Sequence, residues 1–367
     1  MIYLDNSATT KPKKEVLDTF VKTNEQFFAN PSSLHVLGNQ AEDLLETARS
    51  QLKELLNMEQ IIFTSGGTEA NNLALIGTAR SYQSRGKHIV TAETEHPSVL
   101  NSLTALEQEG FEVTRLPVGH TGEIEIEELK KSLRSDTILV SLMHVNNEIG
   151  TVHPIADIAR FLKERRIYFH VDAVQSIGKV VFDSTAMPDL VSVSGHKIHG
   201  LKGTGLLAYS NVDLQSIQYG GGQEGGIRSG TVSVPNAVSL AKALRLAQAN
   251  PLHLQWNQKL RQFFSEFNDV KIVSPEQGVP HILAVAVKDL KGEILVSGLQ
   301  KESVIVSTSS ACSSKSRDAS HVIQAIGLPR EFKDGVIRIS FGAFTTEQDI
   351  MDLQRAFQRV YRIIKGA

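Results

Sequence analysis

Along the chain, a short apolar run is repeatedly followed by a few small or polar residues and then by a stretch whose apolar positions recur at helical spacing. IIFTS (61–65) runs into GGTEANNLALIGTA, KHIVTAETEH (87–96) into PSVLNSLTALEQEG, and TILVSLMHVNNE (137–148), after IGTVHP, into IADIARFLKERR. IYFHVDAVQS (167–176), LVSVSGHK (190–197) and GLLAYS (205–210) follow. Buried strands exchanging with amphipathic helices predict an α/β fold with a mostly parallel sheet covered on both faces. In such sheets ligands bind beyond the carboxyl ends of the strands, so the residues that close each run are the first candidates for chemistry.

The pattern changes near residue 250, where QANPLHLQWNQ interrupts the helical spacing that begins at Pro235. Beyond it come HILAVAVKDL (281–290), SVIVSTSS (303–310), a helix-like segment from Ser320 to Leu328, GVIRISFG (335–342) and a C-terminal amphipathic stretch from Thr345. This predicts a large domain over 13–250 and a smaller α+β domain over 251–367, with residues 1–12 returning to pack on the smaller one. No internal repeat and no low-complexity tract is visible.

Charge and composition then narrow the function. Lys and Arg number 38 against 40 for Asp and Glu, a formal net charge of −2, so no strongly basic field attracts nucleic acid or anionic lipid. MIYLDNSATT has neither a basic nor an apolar leader segment, and no stretch approaches the roughly 18 apolar residues of a membrane span. A cytoplasmic protein acting on a small molecule or a protein partner is expected. Its one cysteine, Cys312 in STSSACSSKSRD (307–318), has no disulfide partner in its own chain and stands among Ser, Lys, Arg and Asp. Either it is incidental to a polar loop or its sulfur reacts.

The run-closing residues carry the candidate chemistry. Ser65-Gly66-Gly67-Thr68 opens a helix after a buried strand and offers backbone N–H groups and a positive helix end to a phosphate; it also reads as a plain strand-to-helix turn. No G-x-x-x-x-G-K-[ST] motif occurs, and GGGQEGG (220–226) lacks the strand-to-helix context of a dinucleotide fingerprint. His96 before Pro97 is a ring at the same level or a helix cap. Asn147 closes the third run. Asp172 sets a carboxylate at the end of an apolar strand, which is costly without a cationic partner, unless it only caps the next turn. Lys197, directly after LVSVSGH, is placed to be desolvated and to form a Schiff base, or else is an exposed lysine. A carboxylate for a pyridinium nitrogen, a lysine for an aldehyde, a helix start for a phosphate and a ring to stack on are together the contacts of pyridoxal phosphate. His196 and His199, with no nearby Cys or convincing carboxylate, do not make a metal site.

Ten segments, in order, add a resemblance: YLDNSATT, NPSSLH, FTSGGTEANNLA, TEHPSVL, MHVNNEIG, HVDAVQSIGK, SGHKIHGLKG, RSGT, SSACSS and IRISFG. Over essentially its whole length the chain resembles the pyridoxal-phosphate-dependent cysteine desulfurases of the NifS/IscS type. The resemblance implies the aminotransferase-like type I fold of pyridoxal-phosphate-dependent transferases, a homodimer, and the long-loop group of these enzymes. It implies that Lys197 holds the cofactor and moves the substrate α-proton, that Asp172 pairs the pyridine nitrogen, and that His96 stacks on the ring and takes part in proton transfer. Gly67, Thr68, Ser194 and His196 match phosphate-binding positions, and Thr231 in RSGT matches one that reaches the phosphate from the other subunit. Asn147 and Gln175 match residues at the cofactor's face and phenolic oxygen, Asn147 also bordering the substrate. Arg338 matches the clamp on the substrate carboxylate, a task suited to a planar bidentate donor.

Cys312 matches the nucleophile that takes sulfur from L-cysteine as a persulfide, leaving alanine. Lys315 and Arg317 either favour its thiolate or are solvated loop charges. The implied partner is a sulfur-acceptor protein, an iron–sulfur scaffold or a tRNA-thiolation enzyme. The chain stops soon after the C-terminal pattern, where scaffold-serving members carry an extension, which turns the expectation toward a dedicated acceptor. His281 stands where the family often has Asn. A selenocysteine lyase or aminotransferase on the same fold is the alternative reaction, and a cofactor-free interaction protein the non-enzymatic one.

Overall fold

The computed structural model describes residues 1–309 and 320–366. Its central sheet has seven strands in the order Gln60–Thr64, Gly205–Tyr209, Leu190–Ser194, Tyr168–Asp172, Thr137–Met143, His88–Ala92 and Glu112–Leu116. Gly205–Tyr209 runs against both of its neighbours, and the remaining ladders are parallel. The exception has a geometric cause. Only residues 195–204 link it to the preceding strand, and a parallel return needs a crossover of about a dozen residues or more. Gly205 also lies against the turn at Gly66, where a Cβ would stand 2.5 Å from the Gly66 Cα.

The parallel strands are apolar because both faces are covered. Thr137–Met143, His88–Ala92 and Leu190–Ser194 are buried throughout. Helices Gly67–Tyr82, Pro97–Gln108, Ile155–Lys163 and Val234–Leu246 flank the sheet, and Lys14–Gln26 and Val36–Leu56 pack on Val234–Leu246. Where strand interiors carry histidine, hydroxyls satisfy it. His170 bonds through its two ring nitrogens to Ser141 Oγ (2.8 Å) and Ser192 Oγ (2.9 Å).

A second sheet of four antiparallel strands, Ser307–Thr308, Val336–Ser340, Ile282–Val287 and Val270–Ile272, is covered by helices Leu252–Ser265, Gly292–Lys301 and Glu347–Lys365. The last helix buries Ile350, Leu353, Ala356, Phe357 and Val360, a 3.6-residue stripe, and starts in a capping box of Thr346 and Asp349. The chain's start joins this unit: Ile2–Tyr3 pairs in parallel with Val304–Ile305, and Leu4 is fully buried in the same apolar cluster as Phe264 and Phe357. Among the described residues no helix is long and apolar enough to cross a membrane.

Burial makes the fold acid-sensitive. It pushes His144, His153, His170, His196 and His253 down to about 4 and lowers His281 well below its ordinary value. Two buried carboxyls oppose them, Glu148 raised to about 7 and Glu95 raised well above its ordinary value. Six imidazoles against two carboxyls leave unfolding near pH 5 with a net uptake of several protons, so stability falls as pH drops from about 6.5 toward 4. The urea midpoint is expected to be clearly lower at pH 5 than at pH 7; equal midpoints would contradict these assignments.

Candidate active site

The carboxyl ends of the parallel strands open onto a cavity of about 250 Å3 that the second sheet closes from the other side. Asp172 is the last residue of its strand and Ser194 of the next, while Lys197 ends the 3-10 turn Gly195–Lys197. Gly67 and Thr68 begin the helix Gly67–Tyr82, and His96 caps the helix Pro97–Gln108. Asn147 and Gln175 lie on the loops that follow their strands, and Arg338 comes from the middle of Val336–Ser340. All nine of these sequence candidates, and His196, line the one cavity, together with Ser7 and Ala8 of the N-terminal segment. Val174 packs against Gly67 so closely that a Cβ there would lie 2.7 Å from its Cγ2.

Asp172 is 7% exposed, and among the described residues no cation lies within ion-pair distance of it. Asn71 Nδ2 donates to its Oδ2 (2.8 Å) and the Val174 N–H to its Oδ1 (3.0 Å). The bland reading of this aspartate as a turn cap is therefore true, but two hydrogen bonds leave lone pairs on both oxygens of a carboxylate buried without a countercharge. Asn71 also donates to Ser98 Oγ (2.9 Å), and that hydroxyl lies 2.8 Å from His96 Nδ1. His96 is likewise both cap and cavity wall. Its Nδ1 accepts from the Ser98 N–H (3.1 Å), which puts the proton of the neutral ring on Nε2. Burial holds this imidazole below its ordinary value, with Lys197 and His321 adding to the effect and Asp172 opposing it.

Lys197 Nζ donates to the backbone carbonyls of Ser7 (2.5 Å) and Ala8 (2.8 Å). His196 bonds through Nδ1 to Thr9 Oγ1 (3.1 Å), and burial pushes it down to about 4. The helix at Gly67 has no side-chain cap, since Gly66 fills the N-cap position. Its first-turn N–H groups therefore sit beside Ser194 and His196, the arrangement that binds phosphate groups.

Arg338 is 3% exposed. Its Nη2 pairs with Asp5 Oδ1 (2.8 Å) and its Nη1 donates to the Asn147 carbonyl (2.9 Å), while Nε is buried with no partner. Arg338 lines the cavity, and a planar guanidinium with hydrogen-bonding capacity left unused suits an anion there.

Two candidates fall elsewhere. Thr231 is exposed and lines a separate hollow with Ser65, Gly203 and Arg228. Cys312, with Lys315 and Arg317, lies outside the described residues; the flanks on either side are placed. Ser307 stands opposite Arg338 in the ladder, and His321 bonds to the Glu95 carbonyl (2.9 Å), one residue before His96. His199, weighed as a metal ligand, bonds through Nδ1 to the Lys11 carbonyl and through Nε2 to the Ala343 N–H. Among the described residues no group of three or more His, Cys, Asp or Glu is arranged to hold a metal ion. Sequence reading missed Asn71, Ser98, Asp5, Ser7 and Ala8. Asn71 was within reach of it, being one helical turn beyond Gly67 on the same face.

Comparison with known proteins agrees with this geometry. The family model described as Aminotransferase class-V matches residues 2–353. The NifS/IcsS protein homolog of Lactobacillus delbrueckii subsp. bulgaricus is 41% identical, over 99% of this chain and 97% of that protein. The cysteine desulfurase IscS of Pectobacterium atrosepticum is 43% identical, over 95% of this chain and 90% of that one. A solved structure titled as a NifS-like protein superposes with a TM-score of 0.91 at 33% identity, covering 100% of both chains.

Proposed function

The chain belongs to the class-V aminotransferase family, among its NifS/IscS-type cysteine desulfurases, and on that footing we propose that it takes sulfur from L-cysteine, releases L-alanine and passes the sulfur through Cys312 to an acceptor protein. Enzymes of this kind depend on pyridoxal phosphate. The observation that carries the reading is the buried carboxylate of Asp172, with no cation at ion-pair distance among the described residues, in one cavity with the Lys197 amine and the Arg338 guanidinium.

The residues present fit that cofactor, because the unpaired Asp172 carboxylate meets the need of a protonated ring nitrogen and the uncapped helix start at Gly67 that of a phosphate. Bound there, pyridoxal phosphate supplies an electron sink for negative charge developing at the substrate α-carbon. Asp172, held in place by Asn71 and the Val174 N–H, would accept from the ring nitrogen. Gly67, Thr68, Ser194 and His196 would hold the phosphate, and Asn147 and Gln175 would border the ring. His96 would offer the ring a neutral imidazole whose Nε2 proton can be given up or shared.

Lys197 would tether the cofactor and move the α-proton; the Ser7 and Ala8 carbonyls hold its amine at the cavity wall. Arg338 receives the α-carboxylate. In the sulfur-transfer step the Cys312 thiolate forms an S–S bond as the substrate C–S bond breaks, and the β-carbon gains a proton. L-cysteine and a thiol thus become L-alanine and a persulfide, with no outside oxidant or reductant. Support for the reach of Cys312 comes from its chain position: it is three residues beyond Ser309, at most about 10–11 Å of extended chain from a segment next to Arg338.

Thr231 shares its hollow with Ser65, just ahead of the helix start, and with Arg228, whose Nε pairs with Glu69 Oε1 at 2.7 Å. A second copy of this chain would bring another Thr231 to the phosphate, and a homodimer is part of the proposal. The acceptor is a tRNA-thiolation enzyme or an iron–sulfur scaffold.

The test is intact-mass spectrometry after exposure to L-cysteine, on the wild type and Cys312→Ser, with each candidate acceptor then added. The wild type is expected to gain sulfur on Cys312 and lose it to one acceptor, and the variant to gain none. Full sulfur transfer to a protein acceptor by Cys312→Ser would refute the role of Cys312.

A further inference from the structure

A second lysine is wired to the same cavity from outside it. Lys179 lies on the wall of a separate hollow of about 490 Å3, beside His199, His253 and Phe341. Its Nζ donates to Gln175 Oε1 at 3.4 Å in a part-buried contact, and among the described residues no carboxylate lies within ion-pair distance of it. Gln175, 4% exposed, lines the cofactor cavity, and its Nε2 donates to the Ser7 carbonyl at 2.9 Å. That carbonyl is also the acceptor for Lys197 Nζ. Lys179 and Lys197 are therefore joined through one amide and one shared oxygen.

The chemistry of the amide gives the contact its meaning. A glutamine side chain is nearly symmetric in shape, and only its partners decide which end is N–H and which is C=O. An ammonium can only donate, so Lys179 requires the amide oxygen on its own side. The two N–H bonds then point to Ser7 and into the cavity. An apolar residue at 179 would leave the choice to Ser7 alone.

We propose that Lys179 is a positioning residue: it holds the Gln175 amide with its N–H toward the bound cofactor, and so sets the protonation of that cofactor without touching it. This rests on the reading that the cavity holds pyridoxal phosphate. Burial, and then the charge of Lys197, bring Lys179 down to about 7, so its donor-only form is itself titrated near neutral pH. The groups around it are mostly cationic or neutral: Lys197, His196, His199, His253 and His281 by electrostatic contact, and Lys13, Lys14 and the lone acid Glu15 across the hollow. Among the described residues no carboxylate comes within ion-pair distance of it, and its acceptor is the Gln175 oxygen.

The experiment follows the absorption band of the protein-bound cofactor against pH in the holoenzyme. It compares the wild type, Lys179→Met, Lys179→Arg, Gln175→Ala and the double variant Lys179→Met/Gln175→Ala, with thermal midpoints recorded alongside. Lys179→Met is expected to move the pH midpoint of the band by about one unit, a tenfold change in proton affinity. Lys179→Arg, which keeps a donor-only cation, restores most of it. In the Gln175→Ala background the Lys179 change adds little, because the amide through which it acts is gone. An unmoved midpoint in Lys179→Met, or an equal shift with and without Gln175, overturns the proposal. Should Lys179→Met fail to fold, Lys179→Gln serves in its place, since its amide no longer forces the orientation of Gln175. A wild type that develops no band with pyridoxal phosphate refutes the cofactor reading itself, and this inference with it.

Discussion

Lys197→Ala is expected to abolish release of alanine from L-cysteine and to leave cofactor that washes out on gel filtration. Two losses combine. Without the amine there is no group to move the α-proton, and general acid–base catalysis alone contributes about 10²–10⁴-fold. Without the covalent tether the proposed cofactor would be held by non-covalent contacts alone. The fold should barely notice, because Nζ contributes two hydrogen bonds to the exchangeable carbonyls of Ser7 and Ala8 and sits in a cavity rather than in the apolar core. Unchanged thermal midpoint with lost activity is therefore the signature. A variant retaining more than a few per cent of wild-type alanine release would remove Lys197 from the chemistry.

The second large effect is at Arg338. Arg338→Gln removes a guanidinium that is 3% exposed, lines the cavity and holds Asp5 and the Asn147 carbonyl. Truncating one side of a buried charged contact costs about 2–5 kcal/mol, so kcat/KM for L-cysteine is expected to fall by roughly 30-fold to several thousand-fold. Most of the loss belongs in KM, because the carboxylate is gripped alike before and during the reaction. This variant also leaves Asp5, whose side chain is 16% exposed, without its ion-pair partner, and it should lose stability. The double variant Asp5→Asn/Arg338→Gln separates the two consequences. Its thermal midpoint recovers while its KM stays high; recovery of both would make Arg338 a structural counterion to Asp5 and nothing more.

Much of this was legible in the chain because the site sits where buried strands end. Runs such as TILVSLM and IYFHVD are apolar on both faces, so their first polar residues stand out, and Asp172, Ser194 and Lys197 were found in that way. Patterning failed where burial is partial. Glu112–Leu116 is an edge strand with only Leu116 buried, and its sequence EVTRL resembles a loop. Lys14–Gln26 buries only Val16 and Thr23 within a polar sequence, which hides its helical stripe.

The site's supporting residues escaped for a different reason. Asn71 matters because its amide reaches Asp172, 101 residues away, and Asp5 because it meets Arg338, 333 residues away. No local pattern encodes such pairings; they exist only once the N-terminal segment has laid Ser7 and Ala8 across the cavity. The competing readings of single residues also proved compatible rather than exclusive. His96 and Asp172 each cap a turn with one atom and face the cavity with the rest, which is how a short polar side chain can serve a fold and a site together.

The cavity's central claim is desulfuration of L-cysteine, and the direct measurement is the product balance of the cofactor-loaded enzyme under reducing conditions. L-alanine and sulfide are predicted to form in equal amounts over many turnovers, with the cofactor absorption band persisting. Pyruvate in place of alanine, or a single turnover that ends with the cofactor in its aminated form, would contradict the account and point to transamination in the same site.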